Sequence, residues 1–474
     1  MPILIGHSAM AQVQPVLADE IVVTGSRLET AASDSPAPVS VIDPADLTVT
    51  TGSISIGDQL AELPQFSPSS TRAASVSPTG GNSSTGLNLL DLRGIGASRT
   101  LVLQNGRRHV SSSQDTAQPD VNTIPAALLE RVEVLTGGAS SVYGADAIAG
   151  VVNFVLRDDF EGLEVAGRGG VSDEGDAETF TFSLTGGRNF DGGRGNVAAN
   201  FEYSTSEILR YSERDFAARE TTIQIPNPAD TDVPGGAPDG IPDFITVNDL
   251  RRANISNGGT INTAGGLLQF DDQGNLVPVD IGGGILPGFV TDGGSGLNGI
   301  ESETLLPSLD RVAFNVLADY DLDNGSRLFF EGKFVQTDTT VFSSAPFSNL
   351  PVFLDNPFLT DQARATLSAT TPSPFGPPIF LSGRVSRDIG DRGLDLRRQT
   401  FRAVVGVEGT FADRFDYEVF YNFGQTDTRT DYLGNAILPR IGLSADATVD
   451  GSGNPICRAT LQTGGATGNP DIDN

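Results

Sequence analysis

The sequence predicts a β-rich protein in two parts: a mixed α+β domain, then an incomplete antiparallel transmembrane β-barrel. Two observations carry this. Long segments alternate apolar and polar residues with the two-residue period of strands, and tight turns between those segments alternate with very long connections. A third narrows the architecture. Nowhere in the 474 residues is there a run near the ~20 apolar residues of a spanning helix, so any spanning structure must be a closed barrel.

Residues 1–11 read as the remnant of a signal peptide. Ile3-Leu4-Ile5 is a scrap of apolar segment, and Ala9-Met10-Ala11 before Gln12 is an A-x-A-type cleavage site. A basic leading region is missing, which a start codon placed too late would explain; a plain disordered terminus is the alternative. Residues 12–34 form a flexible leader with one β-branched patch, Glu20, Ile21, Val22, Val23 and Thr24. Such a patch suits pairing with another protein's sheet edge, although a strand packing on its own domain has the same pattern.

Residues 35–158 mix short strands, Gly-rich loops and one helical segment. From 159 to 474 strands dominate. Val312, Phe314, Val316, Ala318, Tyr320 and Leu322 share one face, with Arg311, Asn315, Asp319 and Asp321 on the other and Leu317 as an exception. Asn324-Gly325 supplies a type I′ hairpin signal. The return strand sets Leu328, Phe330 and Phe334 against Glu331 and Lys333. The pattern recurs in Phe401, Ala403, Val405, Val407 and Phe411, in Phe415, Tyr417, Val419, Tyr421 and Phe423, and earlier in Phe180, Phe182 and Leu184 followed by Val197, Ala199, Phe201 and Tyr203.

Alternation alone fits a soluble sandwich as well as a barrel. Connection lengths break the tie: tight turns near 189–195, 323–326 and 412–414 alternate with connections over about 207–308, 341–397 and 431 onward. Membrane barrels have short turns at one rim and long loops at the other. With a first strand near 161–171 there are about seven strands, each reaching the ~9–11 residues that spanning requires. Seven cannot close around a preceding domain of this size, so the chain is read as a fragment whose remaining strands are absent.

Composition bounds function. A formal net charge of −30 repels nucleic acid. Two Met, two His and one Cys leave few soft metal ligands, and Phe (26) greatly outnumbers Tyr (7), with no Trp. The missing Trp departs from the usual aromatic girdle of membrane barrels. Gly94-Ile95-Gly96 lacks the third glycine of a dinucleotide fingerprint, and no P-loop follows a strand. With His7 among the first eleven residues, only His109 remains for catalysis, and its expected place is the surface of the 35–158 domain. No cofactor is expected, save possible structural Ca²⁺ at Asp230, Asp232, Asp239 and Asp243. These supply hard oxygen ligands at a spacing unlike an EF-hand, and an acidic solvated loop reads the same way. Cys457 lies in the last connection; its disulfide partner is expected beyond the fragment.

One series is distinctive. Leu92-Arg93-Gly94-Ile95-Gly96 runs to Arg99-Thr100-Leu101-Val102-Leu103 and Asn105-Gly106-Arg107-Arg108. Ile124-Pro125 and Leu128-Leu129-Glu130-Arg131-Val132-Glu133-Val134-Leu135 follow. Then come Thr136-Gly137-Gly138-Ala139-Ser140-Ser141-Val142-Tyr143-Gly144 and Ala145-Asp146-Ala147-Ile148-Ala149-Gly150-Val151-Val152-Asn153. The series resembles the plug domain of TonB-dependent outer-membrane receptors, and residues 20–24 resemble their TonB box. The resemblance covers about 20–158 closely and the rest by barrel architecture only.

It implies a barrel of 22 strands when complete, in the outer membrane of a Gram-negative bacterium. It implies active import, not enzymatic activity, of a scarce extracellular small molecule, iron-siderophore by default. TonB with its inner-membrane energising complex and outer-membrane lipid are the implied partners. Arg93, Arg131 and Glu133 are expected at plug–barrel contacts, where polar lumen positions can pair charges; stabilising the plug's own fold is the other role open to them. The alternatives are a surface signalling transducer of the same family and a secreted carbohydrate- or calcium-binding β-protein.

Overall fold

The computed structural model describes residues 22–23, 30–31, 38–44, 55–75, 84–112, 118–137, 139–220, 223–227, 229–230, 240–286, 289–344, 346–372, 379–412 and 414–463. The first domain is built on a five-stranded sheet. Its strands are β1 (Val39–Ile42), β2 (Thr100–Gln104), β3 (Arg107–Arg108), β4 (Leu129–Thr136) and β5 (Gly150–Leu156), in the order β1-β4-β5-β2-β3. Only β2 and β5 run parallel, with Thr100 opposite Gly150. At Gly150 the chain is left-handed (φ 147°), and a β-carbon would collide with the Leu135 carbonyl oxygen, so the strand pairing there requires glycine.

One face of this sheet meets helix α1 (Ile56–Ala61) and the 3₁₀ turns after it. Leu60, Phe66, Leu92, Leu128, Val132, Val152 and Phe154 form that core, each 0% exposed. Ser55 caps α1, accepting from Asp58 N at 3.3 Å, which satisfies one of the unpaired amides of the first turn.

The second part is one seven-stranded antiparallel sheet. Its strands are β6 (Gly162–Gly170), β7 (Thr179–Phe190), β8 (Gly195–Ser206), β9 (Leu309–Asp321), β10 (Ser326–Phe342), β11 (Gly393–Phe411) and β12 (Phe415–Leu433). Neighbours in sequence are neighbours in the sheet throughout, as in an up-and-down barrel wall. Phe314, Phe330, Phe334, Phe401, Val405, Val419 and Tyr421 point outward and are exposed, whereas Arg311, Asn315, Glu331, Lys333, Arg398 and Arg402 point inward and are buried. That polarity is the reverse of a soluble protein's and is what lipid outside and a polar plug inside require. Outward rings pair across strands, as in Phe201 and Phe314 at 5.0 Å.

The inward Leu317 explains its own irregularity. With Ala198 of β8 it joins the apolar core of the first domain, so the plug–wall boundary has a dry patch where purely charged contact was expected. The hairpin signal at Asn324-Gly325 also resolves differently. Gly325 is left-handed (φ 78°) but Asn324 is not; the turn closes from Leu322 O to Gly325 N at 3.0 Å. A two-residue type I′ turn needs both residues left-handed. Asn105 (φ 49°) and Gly106 (φ 73°) meet that condition instead, joining β2 to β3 with Gln104 opposite Arg107.

The tight turns lie at 191–194, 322–325 and 412–414, and the connections 171–178, 207–308, 343–392 and 434–463 all lie at the opposite rim. The long ones are themselves folded. Thr260 and Ile261 of one pair with Gly383 and Ser382 of the next, giving a five-stranded sheet over Ile261, Leu276, Ala363, Leu367 and Phe380. Arg210 bonds Asp391 at 2.7 Å and Arg458 bonds Asp355 at 2.7 Å, so adjacent connections are tied together. Cys457 is a free, half-buried thiol in the last of them.

Candidate functional site

The charged seam between the first domain and the inner face of the wall is the candidate site. It has two clasps. In the first, the type I′ turn at residues 105–106 carries the end of β2 and the start of β3 against β10. Glu331 of β10, 5% exposed, accepts from four donors. These are Arg107 Nη1 (2.9 Å), Asn105 Nδ2 (2.9 Å), Gln104 Nε2 (3.0 Å) and Arg402 Nη1 of β11 (2.6 Å). Arg107 also bonds Glu418 of β12 and lies 4.0 Å from the centre of the Phe329 ring. A buried carboxylate is tolerable only with this kind of partner set.

The set is not complete. Arg107 Nε, Arg402 Nε and Nη2 and Gln104 Oε1 are buried with no hydrogen-bond partner among the described residues. Arg402 and Lys333 are directly opposite across β10 and β11, an unfavourable cross-strand pairing of like charges.

In the second clasp, wall cations hold the backbone of residues 120–123. Arg311 Nη1 of β9 donates to Asn122 O at 2.6 Å, and its Nη2 to Glu202 of β8 at 2.9 Å. Glu202 in turn accepts from Ala127 N at 2.9 Å. Lys333 Nζ donates to Thr123 O at 3.1 Å and to His109 Nε2 at 2.9 Å. His109 Nδ1 lies 3.2 Å from Val110 O, which assigns its proton to Nδ1 and leaves the ring neutral. Burial, then Lys333 and Arg402, hold its pKa well below the usual histidine value.

His109 was expected on the plug surface; it is buried because β3 leads it into the wall. Next to it, Gly424 of β12 leaves room for Val110, whose side chain a β-carbon there would strike. Asp120 is pushed up to about 6 by burial, against the lowering effect of the Asn122 and Asn88 amides.

Below the first clasp lies a cavity of about 370 Å³, lined from the plug by Arg131, Glu133 and Asp158 and from the wall by Asp319, Arg327 and Glu408, among others. Arg131 Nε bonds Glu133 at 2.9 Å, and Asn153 Nδ2 bonds the same carboxylate at 3.1 Å. These two sequence-selected residues therefore pair with each other and face the wall across the cavity. Arg93 is exposed in a left-handed turn (φ 59°) and makes no ion pair among the described residues.

Arg327 spans Asp158 (3.0 Å), Asp319 (3.3 Å) and Glu408 (3.6 Å), tying the link before β6 to the wall. Of residues 20–24, Val22 and Val23 form a short strand paired with Thr30 and Ala31; Glu20, Ile21 and Thr24 lie outside the described residues. Asp232 and Asp239 also lie outside them, Asp243 is exposed and Asp230 half-buried. Among the described residues no three acidic, His or Cys side chains gather to hold a metal.

Glu331 and Lys333 were legible as polar residues on a Phe-rich strand pattern, but their plug partners lie more than two hundred positions away. Sequence spacing has no signal for such pairs.

Residues 31–151 match the family model described as TonB-dependent Receptor Plug Domain. Solved structures similar to this chain include a mutant ferric enterobactin receptor from Pseudomonas aeruginosa (PfeA) in complex with enterobactin. It shows 14% identity and a TM-score of 0.43, over 82% of this chain and 41% of that one. The siderophore receptor PiuA from Acinetobacter baumannii shows 13% identity and a TM-score of 0.37, over 90% and 49%. PirA from the same organism shows 15% and 0.34, over 83% and 48%. The chain thus spans about half or less of the length of these structures. Residues 31–151 are thus similar to the plug domain of TonB-dependent receptors, and they sit against a barrel-type wall with an apolar outer face.

Proposed function

We propose that this chain is part of a TonB-dependent receptor of the Gram-negative outer membrane, which imports a scarce extracellular small molecule with energy delivered through TonB and is a transporter rather than an enzyme. The observation that supports the reading most is a plug domain held to the inner wall by ion pairs and hydrogen bonds, with only a small apolar patch. Charged contacts that can rehydrate make a closure that is firm and reversible.

Residues 20–24 are the coupling strand. A short β-branched segment pairs through its backbone, so its exchange from Thr30 and Ala31 to an edge of TonB requires no particular side chain. The family's default cargo, a ferric siderophore, is the proposed ligand class. Ca²⁺ bound by Asp230, Asp232, Asp239 and Asp243 is the proposed structural ion of the first long loop; calorimetric titration of D230A/D232A against the parent receptor tests it, and equal heats would remove the site.

The coupling strand is tested by binding of the isolated periplasmic domain of TonB to the full-length receptor. Val22→Pro removes an amide donor and fixes φ. The proposal requires binding to be lost; retained affinity would assign the contact elsewhere.

A further inference from the structure

We propose that the passage opens along the seam between the turn at residues 105–107 and strands β10 and β11, with the Arg107–Glu331 pair as its gate. This rests on the import reading above and adds the place at which the closure gives way.

Three observations point there. The cavity of about 370 Å³ is lined by residues beside the tight turns, namely Asp319, Arg327 and Glu408, so it rises from that rim into the seam. Its far end is made by Arg107 and Glu331, which line the cavity and also form the first clasp. Third, that clasp is underpaired: among the described residues, Arg107 Nε and Arg402 Nε and Nη2 lack partners although buried.

Opening this line uncovers only the edge of the apolar patch, because Leu317 lies opposite Glu331 and lines the cavity whereas Ala198 does not. Separating Arg107 from Glu331 beside a polar cavity lets water take over the lost partners and also reach the unpaired guanidinium N–H groups. A half-satisfied buried network gains most from hydration. Glu331 is the pivot, because it is shared by the plug's Arg107 and the wall's Arg402. Losing the plug partner leaves it paired to the wall, so the wall stays formed while the turn moves away.

The test uses the full-length receptor in planar lipid bilayers with KCl as the permeant probe, which needs neither cargo nor TonB. The neutral pair R107Q/E331Q is compared with E202Q/R311Q. The latter neutralises an equally buried clasp whose residues do not line the cavity. The proposal expects R107Q/E331Q to conduct at least roughly tenfold more than E202Q/R311Q, from loss of a buried charge pair at the gate. Equal leak from both, greater leak from E202Q/R311Q, or a folded R107Q/E331Q as tight as the parent would each overturn it. Should that double variant not fold, E331Q alone is read by the same criterion. None of these outcomes bears on TonB binding, so the import reading stands or falls separately.

Discussion

The two clasps hold the same plug to the same wall by opposite chemistry. At residues 104–107 the plug supplies cationic and amide side chains and the wall supplies carboxylates, Glu331 and Glu418. At residues 122–123 the wall supplies the cations, Arg311 and Lys333, and the plug supplies backbone carbonyls. The difference decides what mutation can reach. A side-chain clasp can be opened from either partner, whereas the backbone contacts at Asn122 and Thr123 can be removed only from the wall. It also decides which clasp is costly to break. Glu331 gathers two guanidinium groups, while Lys333 sits opposite Arg402 with no carboxylate of its own among its direct bonds.

The largest effect should come from Glu331→Ala. It strands Arg107 and Arg402 in a buried site and should destabilise plug docking by roughly 3–5 kcal/mol. Urea titration with hydrogen exchange read at residues 100–108 measures this; a loss under about 1 kcal/mol would mean the clasp is already wet.

Asp120→Asn tests the second clasp by pH. Burial pushes the folded carboxyl up to about 6 from an ordinary value of 3.8, so above pH ~6 the folded state carries an ionised group that burial disfavours. Below pH ~4 both folded and unfolded states bind the proton and the difference vanishes. Asn should therefore add about 3 kcal/mol at neutral pH, fading to nothing as pH falls from about 6 to about 4. A gain independent of pH would show that Asp120 is not the titrating group.

The smallest effect should be Lys333→Met. Removing a buried cation that faces another cation, while leaving the neutral His109 in place, should change stability by no more than about 1 kcal/mol in either direction. A loss as large as that of Glu331→Ala would erase the contrast between the clasps.

Much of the wall was legible in the sequence, because its signals are local. Alternation such as Phe314 and Val316 against Arg311 and Asn315 fixes both the strand and the face that lipid meets. Tight and long connections then fix which rim is which. Seven strands follow from that, and seven form the sheet. The ends of β10 and β11 were misjudged: the pairing runs to Phe342 and Gly393, past the last clear alternation.

The site was legible only in part. Arg131 and Glu133 were chosen from the plug motif and do line the cavity, where they pair with each other and with the plug's own Glu130 and Asn153. Arg107 stood in the same motif unremarked, since its importance depends on Glu331, 224 positions away. His109 was placed on the surface because nothing nearby in sequence shows that β3 turns it into the wall.

Energised import through residues 20–24 is tested most directly in iron-starved cells producing the full-length receptor with Val22→Pro, supplied with radio-iron-loaded catecholate and hydroxamate siderophores. The account predicts surface binding equal to the parent receptor and uptake reduced to that of cells lacking TonB. Parental uptake by the Val22→Pro receptor would contradict it.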